Sequence, residues 1–178
     1  MRTTRGLHTA LVLSLAAGLG IAAVPQAAAL TEPVAFTADD LPAWQTNGTV
    51  WALAQANGVV FAGGTFSVVR PPEGGSGSAR EALNFVALDA ATGAPTDCEL
   101  EFTVGSGTAT VRALAVSPDQ QTLYAGGYFG AVNGVGVSSV AAIDIATCTP
   151  KTGFNAAFPA TVRALAVTDD TVYAGGDF

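Results

Sequence analysis

The chain has 178 residues and a formal net charge of −7, from 7 Lys and Arg against 14 Asp and Glu, with one histidine and two cysteines. The acidic balance excludes nucleic acid and anionic lipid as partners, because both require a cationic footprint. The one histidine, His8, lies in a segment that export removes, so Ser-His-Asp and Cys-His catalysis are excluded, together with the commonest ligand for zinc, copper or haem.

Residues 1–29 carry Arg2 and Arg5, an apolar run over 10–24 and small residues before Leu30, the pattern of a secretory signal-peptide helix cleaved after Ala29. That run of 15 residues falls short of the roughly 20 that cross a bilayer. No membrane span is therefore expected after signal removal. The remaining five basic residues face fourteen acidic ones, a net charge of −9 that keeps an exported protein soluble. Two cysteines without histidine are too few for a structural zinc site. Residues 30–40 read as a linker.

From residue 41 onward the chain repeats itself. "LPAWQTNG" at 41–48 precedes "TVWALAQ" at 49–55, and "TVRALAV" then occurs at 110–116 and again at 161–167. The pairs Gly63-Gly64, Gly126-Gly127 and Gly175-Gly176 align, as do Phe66, Phe129 and Phe178, and Asp89 aligns with Asp144. Val50, Val111 and Val162 are spaced by 61 and then 51 residues. Most of the excess is "RPPEGGSGSAR" at 70–80, which reads as an enlarged surface loop. A unit of about 50 residues falls in the range of propeller blades.

In the second unit the pattern predicts strands over 110–116, 122–126 and 137–144, with a weaker fourth over 153–158. Val, Thr, Ile, Tyr and Phe fill these runs while Gly, Pro, Asn and Asp punctuate them. No segment after the signal sustains a helical period. Strict alternation places Val111, Ala113 and Ala115 on one face and Arg112, Leu114 and Val116 on the other. Both faces are then apolar apart from the arginine, as in a strand covered on two sides. The glycine pairs are expected to allow a bulge or a positive φ, and each following phenylalanine to wedge between units.

"FAGGTFSVV", "LYAGGYFGAVNG" and "VYAGGDF", each after a "TVxALA" strand, resemble the delta-60-type repeats of secreted bacterial β-propellers. "SPDQQTLYAGG" is also similar to the strand-turn-strand of WD40-like and quinoprotein-like propellers. The resemblance spans 41–178. It implies an all-β fold, a partial β-propeller of about two and a half four-stranded antiparallel blades, with units near 49–109, 110–160 and an incomplete 161–178. It implies that "LPAWQTNG" supplies an outer strand to the blade that closes the ring. Propellers have at least four blades, so further blades or downstream domains are expected beyond this sequence. Such domains serve as binding or structural modules at the cell surface or outside the cell.

Cys98 and Cys148 fall in successive units of a chain bound for an oxidising compartment, so a disulfide between them is expected, with pairing to cysteines outside this sequence as the alternative. Asp89 and Asp144 precede "AATG" and "IATC" and are expected to cap turns through backbone N–H groups. Asp119, Asp169 and Asp170 also read as turn residues, since no calcium loop pattern surrounds them. "GGSGS" at 74–78 lacks the Gly-Lys-Ser/Thr ending of a phosphate loop. Arg112 and Arg163 share one place in two units, with Trp51 in the first; they either line a channel or rim, or cap strand ends and pair with carboxylates. No catalytic, cofactor or metal residue is assigned. The expected function is a binding or scaffolding module for a protein or glycan, not an enzyme. The alternatives are a carboxylate-based glycan-active scaffold and an architectural spacer.

Overall fold

The structure is a computed structural model that describes residues 42–178. The signal peptide, its cleavage after Ala29 and the linker at 30–40 lie outside the described residues. The described chain is all β, without a helix, and its elements follow a recurring order. A short strand β1 (Gln45–Thr46) leads into β2 (Thr49–Ala56), β3 (Val59–Thr65), β4 (Val68–Arg70), β5 (Arg80–Glu81) and β6 (Phe85–Asp89). The order then repeats as β7 (Phe102–Thr103), β8 (Thr110–Val116), β9 (Thr122–Tyr128), β10 (Ala131–Val132), β11 (Val135–Gly136), β12 (Val140–Asp144) and β13 (Thr149–Pro150). The hairpin of β14 (Val162–Val167) and β15 (Val172–Gly176) follows.

Three antiparallel sheets carry the core: β2-β3-β6, then β8-β9-β12-β13, then β14-β15. Two small sheets, β1-β4-β5 and β7-β10-β11, sit at corresponding places, and none of the five closes on itself. The larger sheets pack in succession, β8 against β2 and β3, and β14 against β8 and β9. Only the second is four-stranded; in the first, a single bridge between Leu88 and Pro95 stands where a fourth strand would lie. The outer strand of the second sheet is Thr149–Pro150 and not 153–158, because the turn capped by Asp144 is tight enough to pair the chain at once. The third strand begins at Val140, three residues later than its apolar run suggests, because Ser139 before it has a φ of 62°.

Each first strand bulges at one residue, and the glycine pair lies opposite. The register shifts between Val50 and Ala52, Val111 and Ala113, and Val162 and Ala164, leaving Trp51, Arg112 and Arg163 as the extra residues. Across from them stand Gly64, Gly127 and Gly176, where a Cβ would strike the backbone oxygen of Thr49, Thr110 or Thr161. The glycines are thus needed for room and not for a left-handed backbone, and the bulge is on the partner strand. The bulge also corrects the expected alternation. One extra residue shifts the phase, so Val111 and Leu114 both reach the Cβ position of Gly63.

The first glycine of each pair makes the seat for the next sheet. A Cβ at Gly63 would strike Val111 Cγ1, and one at Gly126 would strike Val162 Cγ1 with Leu165 Cδ1 close behind. Val111 and Val162 are consequently 0% exposed. Burying such a side chain contributes about 1.5–3 kcal/mol. The main core runs through this seam as a chain of rings, Phe61 to Phe85, Phe102 and Phe129, with centroids 6.1, 5.7 and 4.9 Å apart. Phe129 wedges there as expected, whereas Phe66 belongs to a smaller cluster with Ala62, Val69, Val86 and Trp44.

Cys98 and Cys148 form a disulfide, their Cα atoms 5.4 Å apart, which ties the segment after the first sheet to the β12–β13 turn of the second. Cys148 has a φ of 53° at the place that Gly93, φ 68°, holds in the first unit.

Candidate functional site

The bulged residues form a row along one set of strand ends. A bulge turns its extra side chain off the regular pleat, and here neighbours in the row meet. Arg112 Cζ stands 4.3 Å from the centroid of the Trp51 ring, a cation–π stack. Trp51 Nε1 donates to Thr65 Oγ1 at 3.0 Å, and that hydroxyl donates to Thr110 Oγ1 at 3.2 Å across the seam between the first two sheets. Arg112 Nε is buried and has no hydrogen-bond partner among the described residues. Arg163 grips Asp177 in a fork, Nε to Oδ1 at 2.5 Å and Nη2 to Oδ2 at 2.8 Å. Those hydrogen bonds hold the Asp177 carboxyl below the usual range, with a smaller contribution from the charge of Arg112, and they raise the Arg163 guanidinium. Arg163 thus has the carboxylate partner that one of the two readings offered, whereas Arg112 has an aromatic partner that neither reading named.

Thr65 also borders a cleft of about 460 Å³ between the first sheet and the segment that precedes β8. Its polar lining includes Asn47, Ser67, Asn84 and Thr108, beside the apolar side chain of Phe102. None of the residues that line it is charged. Asn47 is held by Ser67 N–H at 2.9 Å and Val68 N–H at 3.0 Å, both donated to its Oδ1. Asn84, 7% exposed, donates Nδ2 to the Phe102 carbonyl at 3.0 Å. Its φ of 67° matches the 62° of Ser139 at the corresponding place. Both residues clamp the glycine corner: Gly64 N–H donates to Asn84 O at 2.9 Å and Gly127 N–H to Ser139 O at 3.0 Å. One wall of the cleft exists because the first-to-second connection is long. Seven residues separate Phe102 from Thr110, where two separate Phe158 from Thr161.

Sequence reasoning passes over this cleft. Asn84 stands in no motif, yet an asparagine just before a buried strand is a usable signal for a left-handed corner. The longer connection over 103–109 is visible once the units are aligned.

The aspartates singled out by the sequence sit on four separate turns, with Asp169 and Asp170 adjacent on one of them. Asp89 Oδ1 accepts from Thr92 Oγ1 and N–H, both at 2.8 Å, and Asp144 Oδ1 accepts from Thr147 N–H at 2.9 Å and Oγ1 at 3.0 Å. Asp119 caps its hairpin through Ser117 Oγ and Gln121 N–H, and Asp170 through Thr168 and Thr171 hydroxyls. Among the described residues no group of three or more His, Cys, Asp or Glu could hold a metal ion, and no helix is long and apolar enough to cross a membrane. No protein-family model, curated protein or solved structure matches the chain.

Proposed function

We propose that this chain is part of an exported β-propeller acting as a binding module outside the cell, and that the cleft between its first two units takes a neutral glycan. The observation that carries the ligand class is the lining: amide and hydroxyl groups from Asn47, Ser67, Asn84, Thr103 and Thr108, with no charged side chain. Sugars present hydroxyls that match such groups, and a few convergent polar groups over an apolar floor are what fixes a small ligand in a pocket. A disulfide and a signal-like leading segment suit an oxidising destination. The succession of sheets, each first strand seated on the previous glycine pair, supports blades arranged side by side.

A glycan-cleaving scaffold needs an acid whose carboxyl is raised so that it can protonate the leaving oxygen. The capped aspartates shift the other way, through the hydrogen bonds of their own turns. No carboxylate lines the cleft, and that favours binding over cleavage there.

The test is a glycan array with the full-length chain, followed by calorimetry on the best ligand. Thr108→Trp, an exposed loop change that fills the cleft, is expected to weaken binding by about tenfold or more, about 1.4 kcal/mol. Glycan binding left untouched by Thr108→Trp overturns the site. Failure to bind any glycan overturns the ligand class, and binding of a protein alone or of nothing favours the protein-ligand and spacer readings respectively.

A further inference from the structure

Two asparagines line the cleft between the first two units, and their amides are used differently. Asn47 is spent on its own loop: Oδ1 accepts from the Ser67 and Val68 N–H groups at 2.9 and 3.0 Å, and Nδ2 donates to Ser67 Oγ at 3.1 Å. Asn84 is fixed as firmly but keeps one atom back. Its N–H donates to the Phe66 carbonyl and its carbonyl accepts from Gly64 N–H, both at 2.9 Å, while Nδ2 donates to the Phe102 carbonyl at 3.0 Å. A carbonyl oxygen only accepts, so that last bond fixes which end of the amide points which way. Oδ1 is left without a partner among the described residues, on a residue that is 7% exposed. Arg112 Nε is the one described side-chain polar atom that is both enclosed and unpartnered. Asn84 Oδ1 is therefore still open to solvent, and the opening that Asn84 borders is the cleft.

We propose that Asn84 Oδ1 is the specificity-determining atom of the cleft, an acceptor that reads one O–H or N–H donor of the ligand. The inference rests on the glycan reading above and narrows it: a ring hydroxyl or an acetamido N–H has to reach Oδ1, and a sugar without that donor is rejected. The physical reason is an asymmetry of hydrogen bonding. In the open cleft Oδ1 bonds to solvent; a ligand that displaces solvent without replacing the bond leaves a desolvated acceptor unpaired, which costs more than the bond itself gains. Preorganisation adds to this, because the three backbone tethers and the left-handed corner, φ 67°, are in place before a ligand arrives. Thr103 and Thr108 do not discriminate in this way, since a hydroxyl rotates to donate or to accept, whereas a locked amide oxygen only accepts. The second unit shows what the corner alone requires. Ser139 holds the same place with a φ of 62° and accepts from Gly127 N–H as Asn84 does from Gly64. An amide at position 84 is more than the corner needs.

Calorimetric and NMR titrations of the full-length chain test this with methyl glucoside, methyl galactoside, methyl mannoside and N-acetylglucosamine. Each is taken beside its singly deoxygenated forms and, for the last, beside 2-deoxyglucose. Asn84→Ser copies the residue of the second unit and is expected to bind the best of these sugars about tenfold more weakly. One form of that sugar lacking a single donor is expected to lose the same factor against the wild type and nothing further against Asn84→Ser, while the other forms still distinguish the two proteins. In the wild type the side-chain amide resonances of Asn84 are expected to shift on titration and those of Asn47 to shift less, a reading that needs no variant and serves where Asn84→Ser loses the fold. A sugar that Thr108→Trp excludes but Asn84→Ser binds as the wild type does overturns this inference and leaves the glycan reading standing. So does a loss spread equally over every deoxygenated form, the mark of a changed cleft shape and not of one donor being read, and so do Asn84 resonances that stay in place while a sugar occupies the cleft. If none of the sugars binds, or Thr108→Trp leaves their binding untouched, both readings fall.

Discussion

A hydrogen in place of a methyl group sets how closely neighbouring sheets approach in this protein. Gly126 faces Val162 Cγ1 and Leu165 Cδ1, whereas Gly175, its counterpart, faces open space. The same substitution should therefore have two outcomes. Gly126→Val is expected to destabilise by about 1–3 kcal/mol through overpacking, and Gly175→Val to stay within about 0.5 kcal/mol, as read from urea unfolding with the midpoint and slope compared. The turn aspartates make a second residue-scale prediction. Asp89 is held below the ordinary carboxylate range first by the Thr92 hydroxyl, Asp144 by the Thr147 N–H, Asp119 by the Ser117 hydroxyl and Asp170 by the Thr171 hydroxyl. Between the depressed folded value and the ordinary unfolded one, the unfolded chain binds more protons, so stability rises with pH there. The contribution is complete above the ordinary aspartate value and fades as pH falls through the folded ones. Thermal melts are expected to drop as the pH is taken from about 5 downward, and to drop less steeply in Asp89→Asn and Asp144→Asn. Turn capping by these aspartates was legible from "LDAAT" and "IDIAT", because an aspartate two or three residues before a free N–H is a local signal. The partner of Arg112 was not, since Trp51 lies 61 residues away in the chain.

At the scale of elements, the long strands were readable and the short ones were not. Thr110–Val116 and Thr122–Tyr128 carry enough β-branched and aromatic residues for a periodic signal. Two-residue strands such as Gln45–Thr46 and Phe102–Thr103 have no period at all, and exist only because a partner, β4 or β10, is folded beside them. The bulge at Arg112 was likewise hidden: alternation within one strand cannot reveal an extra residue defined by the strand opposite. The cleft depends on both omissions, resting on Asn84 at a left-handed corner and on the 103–109 connection. The disulfide is an element-scale constraint, closing a separation of 50 residues between Cys98 and Cys148. Its removal in Cys98→Ser/Cys148→Ser is expected to cost about 4 kcal/mol in the chain-entropy account, measured as the difference in chemical unfolding between the two proteins. A loss confined to the folding rate, with equilibrium stability unchanged, would contradict that account.

For the whole molecule, the sequence made the class of fold plain, because strand-forming runs recur with turn signals between them and no helical period competes. How one sheet seats on the next was not readable, because the seat joins a glycine of one unit to a valine and a leucine of the following one. The cross-link between the first two sheets has a mechanical consequence. A chain pulled from its two ends can lengthen only through covalently free residues, and the stretch between Cys98 and Cys148 is shielded from the load. Fifty residues extend by about 170 Å when drawn straight, so force traces of the oxidised protein are expected to fall short of full contour length by that amount and recover it under reductant. The β14–β15 hairpin, outside the shielded stretch, is then the first part to yield.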